Sequence, residues 1–279
     1  MSERVDVRKT YKLFLGGDFP RSESGRSFEV MDSKGDFLAN AARGSRKDLR
    51  DAVKAARGVW GKWATATAYN RGQVLYRIAE MMETRRAELT DEVAAAEGKR
   101  GASKQVDEAI DTWVWYAGLA DKLTQIMGGL NPVAGPYFNL TAPEPTGVCG
   151  IVAPEVPSLS GLVGRIAPAL CGGNVVVVLS SEVHPLPAIA LAECLATSDV
   201  PKGVVNILTG YKSELTPWMA SHGDVDALDV TGVKPGELAD AERAGADNVK
   251  RIVKANGAKN PYEATAFMEM KTVWHPKGA

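Results

Sequence analysis

The chain has 279 residues, 45% of them hydrophobic and 24% charged, with a net charge of −1. That length holds one large domain or two small ones with material for a buried core, and the balanced charge creates no field for nucleic acid or an anionic membrane, so neither is expected as a partner. Cys149, Cys171 and Cys194 sit in apolar runs without CxxC spacing, a pattern of buried thiols in a reducing compartment, not of a disulfide framework or zinc site. Met1–Asp6 lacks the apolar core of a signal peptide, and no apolar run reaches the roughly 20 residues of a bilayer span. A cytoplasmic protein is expected.

Tyr11–Phe19 alternates and then turns, and Ser27–Met31 alternates again, which predicts a β-ribbon. Ser45 with Asp48 three residues on is an N-cap signal for a helix through Arg57. From Tyr69 to Thr90 the residues Val74, Leu75, Ile78, Met81 and Met82 recur at helical spacing. Val106, Ile110, Trp113 and Ala117 make a further helical stripe, read as core packing. From Gly147 the pattern changes. Short apolar runs at Gly147–Ala153, Asn174–Leu179, Gly203–Leu208, Asp226–Val230 and Lys250–Val253 alternate with helical segments ending at Leu170, over Pro185–Thr197, over Leu215–Ser221 and over Glu237–Ala244. Continuous apolar strands bounded by helices predict an α/β fold with a doubly wound parallel sheet.

Several segments in that region resemble the aldehyde dehydrogenase superfamily. Pro145–Pro154 is similar to the strand leading to the family's Pro-Trp-Asn-Phe-Pro motif, and Ile166–Asn174 to the helix end and turn that follow. Glu182 with Pro185, Val200–Asn206, Asp224–Asp226 and Thr231-Gly232 follow in family order, while Tyr11–Gly17, Arg71 and Glu97-Gly98-Lys99 match the N-terminal part. The resemblance implies a Rossmann-like coenzyme domain at residues 1–127 and 144–257, and an oligomerisation β-arm at 128–143 and 262–279. In the family a catalytic domain with the nucleophilic cysteine separates Val249–Pro261 from Met268–Pro276; here the two segments nearly adjoin.

The departures from the family pattern decide the expected function. Of the coenzyme contacts implied by the resemblance, Glu182, Gly210, Thr231 and Gly232 remain, as a degenerate cofactor-binding set. Leu179 replaces the lysine that would share the adenine ribose with Glu182, and leucine donates no hydrogen bond. Lys212 and Thr216 stand where the later glycines of a Gly-x-Gly-x-x-x-Gly turn belong, and Val233 replaces a serine at the pyrophosphate. No tightly bound cofactor is expected, with NAD at most weak. Glu182 reads most simply as a solvated helix-start acid.

Catalytic residues are expected to be absent. Val156 aligns with the oxyanion-hole asparagine, and its side chain has no N–H to donate. Ala255 aligns with the general-base glutamate and cannot move a proton. No cysteine follows Cys194, so the nucleophile has no counterpart. His184, His222 and His275 lack ligand spacing, and no metal is expected.

The segments that resemble the assembly arm are kept. Leu130–Pro143, with Tyr137 and Phe138, is similar to the outward β-ribbon, and the segment ending at Pro276, with Phe267, Met270, Val273 and Trp274, to the C-terminal strand. A solitary ribbon is marginal in water and exposes unpaired backbone, so these six side chains are expected to be covered by another subunit. The resulting expectation is a non-catalytic, structural or regulatory subunit of a homo-oligomer or of a hetero-oligomer with a full-length aldehyde dehydrogenase. The alternative is an NAD(P)-dependent aldehyde oxidoreductase, or a nucleotide-binding sensor using the residual crevice.

Overall fold

The computed structural model of the chain describes residues 9–254 and 259–278. The N-terminal segment departs from the expected ribbon. Tyr11–Phe19 forms isolated bridges only: Phe14 exchanges backbone hydrogen bonds with Ile207, at 2.9 and 2.7 Å, and Leu15 closes a turn onto Asp18. The alternation in this segment buries Leu13 and Phe14 against the edge of the main sheet instead of pairing with residues 27–31. The true ribbon is β1 (Ser27–Met31) with β2 (Phe37–Ala42), antiparallel. The Asp32 carboxylate accepts the Lys34 and Asp36 amides, at 2.8 and 2.9 Å, and sets the turn between them.

Helix α1 (Arg46–Thr65) starts as expected, with Ser45 and Asp48 forming a reciprocal capping box. It runs two turns past the expected end at Arg57. Gly58 and Gly61 weaken helix propensity there, but buried Trp63 anchors the extension in the core. The single helix expected over 69–90 is two, α2 (Ala68–Thr84) and α3 (Arg86–Glu97), interrupted at Arg85, whose backbone leaves helical geometry. Next come α4 (Ala102–Ala120), which buries Val106, Ile110 and Trp113, and the short α5 (Leu123–Met127).

Strands β3 (Gly129–Leu130) and β4 (Tyr137–Pro145) precede the alternating region. That region is β5 (Val148–Val152), α6 (Ser160–Cys171), β6 (Val175–Leu179), α7 (Leu186–Ala196), β7 (Val205–Leu208), α8 (Lys212–Ser221), β8 (Ala227–Asp229), α9 (Pro235–Ala246) and β9 (Arg251–Val253). The five strands pair in parallel in the order β7-β6-β5-β8-β9. β5, β6 and β7 are buried throughout, which is why they read as unbroken apolar runs. Connections run outward from β5 to β7 and then return to β8 on its other side. The order therefore reverses between β5 and β8, and the loops after their carboxyl ends define the switch-point crevice.

The chain closes with α10 (Pro261–Thr265) and β10 (Met268–Pro276). β10 pairs antiparallel with β4 over its full length, from Met268 opposite Pro145 to Pro276 opposite Tyr137, and β3 flanks the other edge of β4. The buried Asn174 side chain fastens this arm to the sheet, with Nδ2 donating to the Phe267 carbonyl at 2.9 Å. Thr146 donates to the same carbonyl at 2.8 Å.

Candidate functional site: the switch-point crevice

The crevice is built by four loops: Ala153–Glu155 after β5, Ser180–Glu182 after β6, Thr209–Tyr211 after β7 and Val230–Gly232 after β8. Lys212 dominates it. Instead of lying in a glycine turn, this lysine is the first residue of α8 and is only 2% exposed. Its Nζ donates to the Ala153 carbonyl at 2.5 Å and is ion-paired with Glu155. The other Glu155 oxygen accepts from the Ser181 hydroxyl at 2.8 Å and from the Glu182 and Val183 amides at 2.8 and 3.1 Å. Burial opposes the Glu155 charge, but the Lys212 ammonium and these donors hold its carboxyl below the usual range. Burial pulls the Lys212 ammonium down from its ordinary value, against the pull of Glu155. One salt bridge thus ties the ends of β5 and β6 to the start of α8.

The retained coenzyme-type residues have structural partners here. Glu182 is not a solvated helix-start acid: its Oε2 accepts the Lys212 amide at 2.8 Å and caps α8, where a carboxylate suits the helix dipole. Gly210, at φ +139°, lets the backbone approach Gly44, whose amide donates to Thr209 at 2.8 Å. Gly232 has no room for a side chain, since a Cβ would stand 1.9 Å from the Ala153 oxygen, and its amide donates to Val152 at 2.8 Å. Thr231 turns inward, with its amide and hydroxyl both donating to Asp229, at 2.9 and 2.5 Å. Leu179 is buried at the end of β6, Thr216 is buried within α8, and Val233 packs at the margin of the core. The structure therefore brings Glu182 and Lys212 together, and sets Thr231 and Gly232 across the β5–β8 gap.

Val156 is exposed and carries no donor. Ala255 lies outside the described residues. All three thiols are free and buried. Burial pushes Cys149 well up, Cys171 up to about 12 and Cys194 up to about 11, the opposite of nucleophile activation. Among the described residues no three His, Cys, Asp or Glu side chains cluster to hold a metal.

A second feature escaped the sequence reading. Arg165 of α6, 4% exposed, donates from Nε to Asp229 of β8 at 2.5 Å and from Nη1 to Glu263 of α10. Burial disfavours its charge, but Asp229 and Glu263 together raise its pKa above the ordinary arginine value. Arg165 and Glu263 border a cavity of about 520 Å³ together with Tyr116, Ser160 and Thr231. A signal for it existed: Arg165 and Asp229 each interrupt an otherwise apolar run.

In the arm, Tyr137, Phe138, Met270, Val273 and Trp274 are exposed, Val273 by 60% and Trp274 by 59%, and Tyr137 meets Trp274 edge-on at 5.8 Å. Phe267 corrects the expectation. It is 0% exposed, because it precedes β10 and inserts under α6 with its ring 5.5 Å from the Arg165 guanidinium.

A parallel sheet with its order reversal at β5/β8 and a capped helix after β7 defines a coenzyme-domain type of α/β protein. Residues 19–273 match the aldehyde dehydrogenase family, and the chain belongs to it. The cytosolic 1 aldehyde dehydrogenase of Elephantulus edwardii is 35% identical over 257 residues, covering 90% of this chain and 51% of that protein. Human retinal dehydrogenase 2 is 35% identical over 265 residues, covering 92% and 50%. Among solved structures, HpcC from Thermus thermophilus superposes with a TM-score of 0.83 at 32% identity, covering 88% of this chain and 48% of its own. The NAD+ complex of a Bacillus cereus aldehyde dehydrogenase gives 0.81 at 27% identity, covering 88% and 50%. The chain spans about half the length of the relatives it matches.

Proposed function

We propose that this chain is a non-catalytic aldehyde dehydrogenase-family subunit that acts structurally or in regulation, within a cytoplasmic homo-oligomer or a complex with a full-length aldehyde dehydrogenase. The observation that carries the reading is the Lys212–Glu155 bridge. In the Bacillus cereus relative the coenzyme-domain fold is found with NAD+. Here a buried ammonium fills the switch point, and Glu155, Ser181 and Glu182 spend their hydrogen-bonding capacity on one another and on α8. A dinucleotide entering there would have to part the buried Lys212 ammonium from the half-buried Glu155 carboxylate. The arm supports the assembly half of the reading: β10 is the edge of its sheet, so its outer backbone groups and the exposed Val273 and Trp274 side chains are ready to be covered by another chain. Among the described residues no helix is long and apolar enough to cross a membrane.

Calorimetry with NAD and NADP tests the reading. Dissociation constants in the millimolar range or weaker, about −4 kcal/mol or less, are expected. Micromolar binding, or nicotinamide reduction with aliphatic or aromatic aldehydes, overturns it.

A further inference from the structure

A cavity of about 610 Å³ opens between the first turns of α1 and the last turn of α8, walled by Arg46, Lys47, Leu49, Arg50, Trp218 and His222. It is separate from the crevice, since Trp218 lies six residues along α8 from Lys212, roughly 9 Å at 1.5 Å per residue. Its size falls within the roughly 300–1,000 Å³ of small-molecule sites. The wall carries three cations and no acid. Arg46 lies over the Trp218 ring with its guanidinium carbon 3.6 Å from the centroid. Among the described residues it has no carboxylate partner. A contact through the face of a guanidinium leaves its in-plane N–H groups free to donate to an oxyanion. Lys47 and Arg50 pair only with the exposed Glu23 and Asp51, at 3.1 and 2.8 Å. Such exposed pairs are weak and exchange readily for a better anion. The uncovered part of Trp218, which is 43% exposed, supplies apolar wall beside these cations.

We propose that this cavity binds a phosphorylated aromatic small molecule of nucleoside-monophosphate size, with the phosphate on Arg46 and Arg50 and the ring against the uncovered part of Trp218. Three cations without a lining acid favour a doubly charged phosphate, and the arginine fork matches its oxygens in bidentate fashion. The site lies outside the sealed crevice and does not depend on the role proposed above.

The test is titration of the full chain with AMP, followed by 1H–15N spectra and calorimetry, with inorganic phosphate and an oligoglutamate peptide in parallel. AMP is expected to shift the Trp218 indole and the Arg46 and Arg50 side-chain signals, and to bind more tightly than phosphate alone. Arg46→Gln and Trp218→Ala, both at exposed positions, each weaken AMP by about tenfold or more while the thermal midpoint stays near wild type. The proposal is overturned if AMP shifts nothing at millimolar concentration, or if the shifts fall on Ser181–Val183 and Lys212. It is equally overturned if phosphate binds as tightly as AMP, or if only the acidic peptide perturbs the cavity.

Discussion

Replacing Arg165 by methionine removes a cation that two interior carboxylates share. Asp229 is 0% exposed and Glu263 4%, and Arg165 bonds both, so the variant withdraws its charge from two carboxylates where solvent does not reach. Breaking a buried ion pair from one side costs about 3–5 kcal/mol. Against a total stability of roughly 5–15 kcal/mol, Arg165→Met should still fold, with little margin. With a urea m-value near the upper end of about 1–3 kcal/mol/M, the midpoint should fall by about 1–2 M. Glu263→Gln keeps an acceptor for Nη1 and gives up only the charge, so it should cost less, about 1 kcal/mol. Because Glu263 sits on α10, that smaller loss should show as faster amide exchange along β10, with β5 and β6 unaffected. The assay is urea unfolding followed by tryptophan fluorescence, with hydrogen exchange for the local effect. A loss under about 1 kcal/mol for Arg165→Met, or a larger loss for Glu263→Gln than for Arg165→Met, refutes the account of the triad.

Phe267→Ala should cost about 3–5 kcal/mol, as for a fully buried aromatic, whereas Trp274→Ala at the exposed end of the same arm should leave monomer stability nearly unchanged; matched thermal melts check the contrast. Ser45→Ala removes the α1 cap and should destabilise by about 1 kcal/mol in urea unfolding. Lys250, whose Nζ donates to the His222 carbonyl at 2.9 Å and to the Val225 carbonyl, is lowered to about 8, mainly by burial. Between that value and the roughly 10.4 of an unfolded lysine, the unfolded chain holds the extra proton, so this residue's contribution to stability rises with pH. The stability difference between wild type and Lys250→Met should therefore climb from pH 8 to pH 10, and a flat difference refutes the burial of its charge. Groups titrating in both proteins cancel in that subtraction.

The parallel sheet was legible because burial on both faces imposes a signature no other environment does: Val175–Leu179 is all apolar, mostly β-branched and too short for a buried helix. The start of α1 was legible because a capping box is local chemistry, complete within four residues. Pairing partners were not. Alternation in Tyr11–Phe19 states which side chains go inward, not which strand they meet. The partner of β1, Phe37–Ala42, is rich in alanine, which has little strand preference to announce it. The triad was hidden for a related reason, since Arg165, Asp229 and Glu263 lie 64 and 98 residues apart along the chain and meet only in the folded state.

Lys212 carries the most instructive difference between the two levels. Read along the chain, a lysine in place of glycine is a loss, because the turn can no longer let a ligand approach. In three dimensions it is also a gain of structure: the ammonium reaches Ala153 and Glu155, and its own amide is capped by Glu182. A lysine as buried as Lys212 needs a carboxylate, and the half-buried Glu155 supplies it. The same holds for Arg165 with Asp229 and Glu263. Both clusters sit at the carboxyl ends of the parallel strands, where folds of this type receive ligands. In this chain charged side chains pair with one another at those positions; one cross-link joins β5 to α8, and the other joins β8 to α10, the helix that leads into the arm. Substituting either cation alone should therefore weaken the framework without creating a binding site, because the carboxylates left behind repel the phosphates that a dinucleotide would bring.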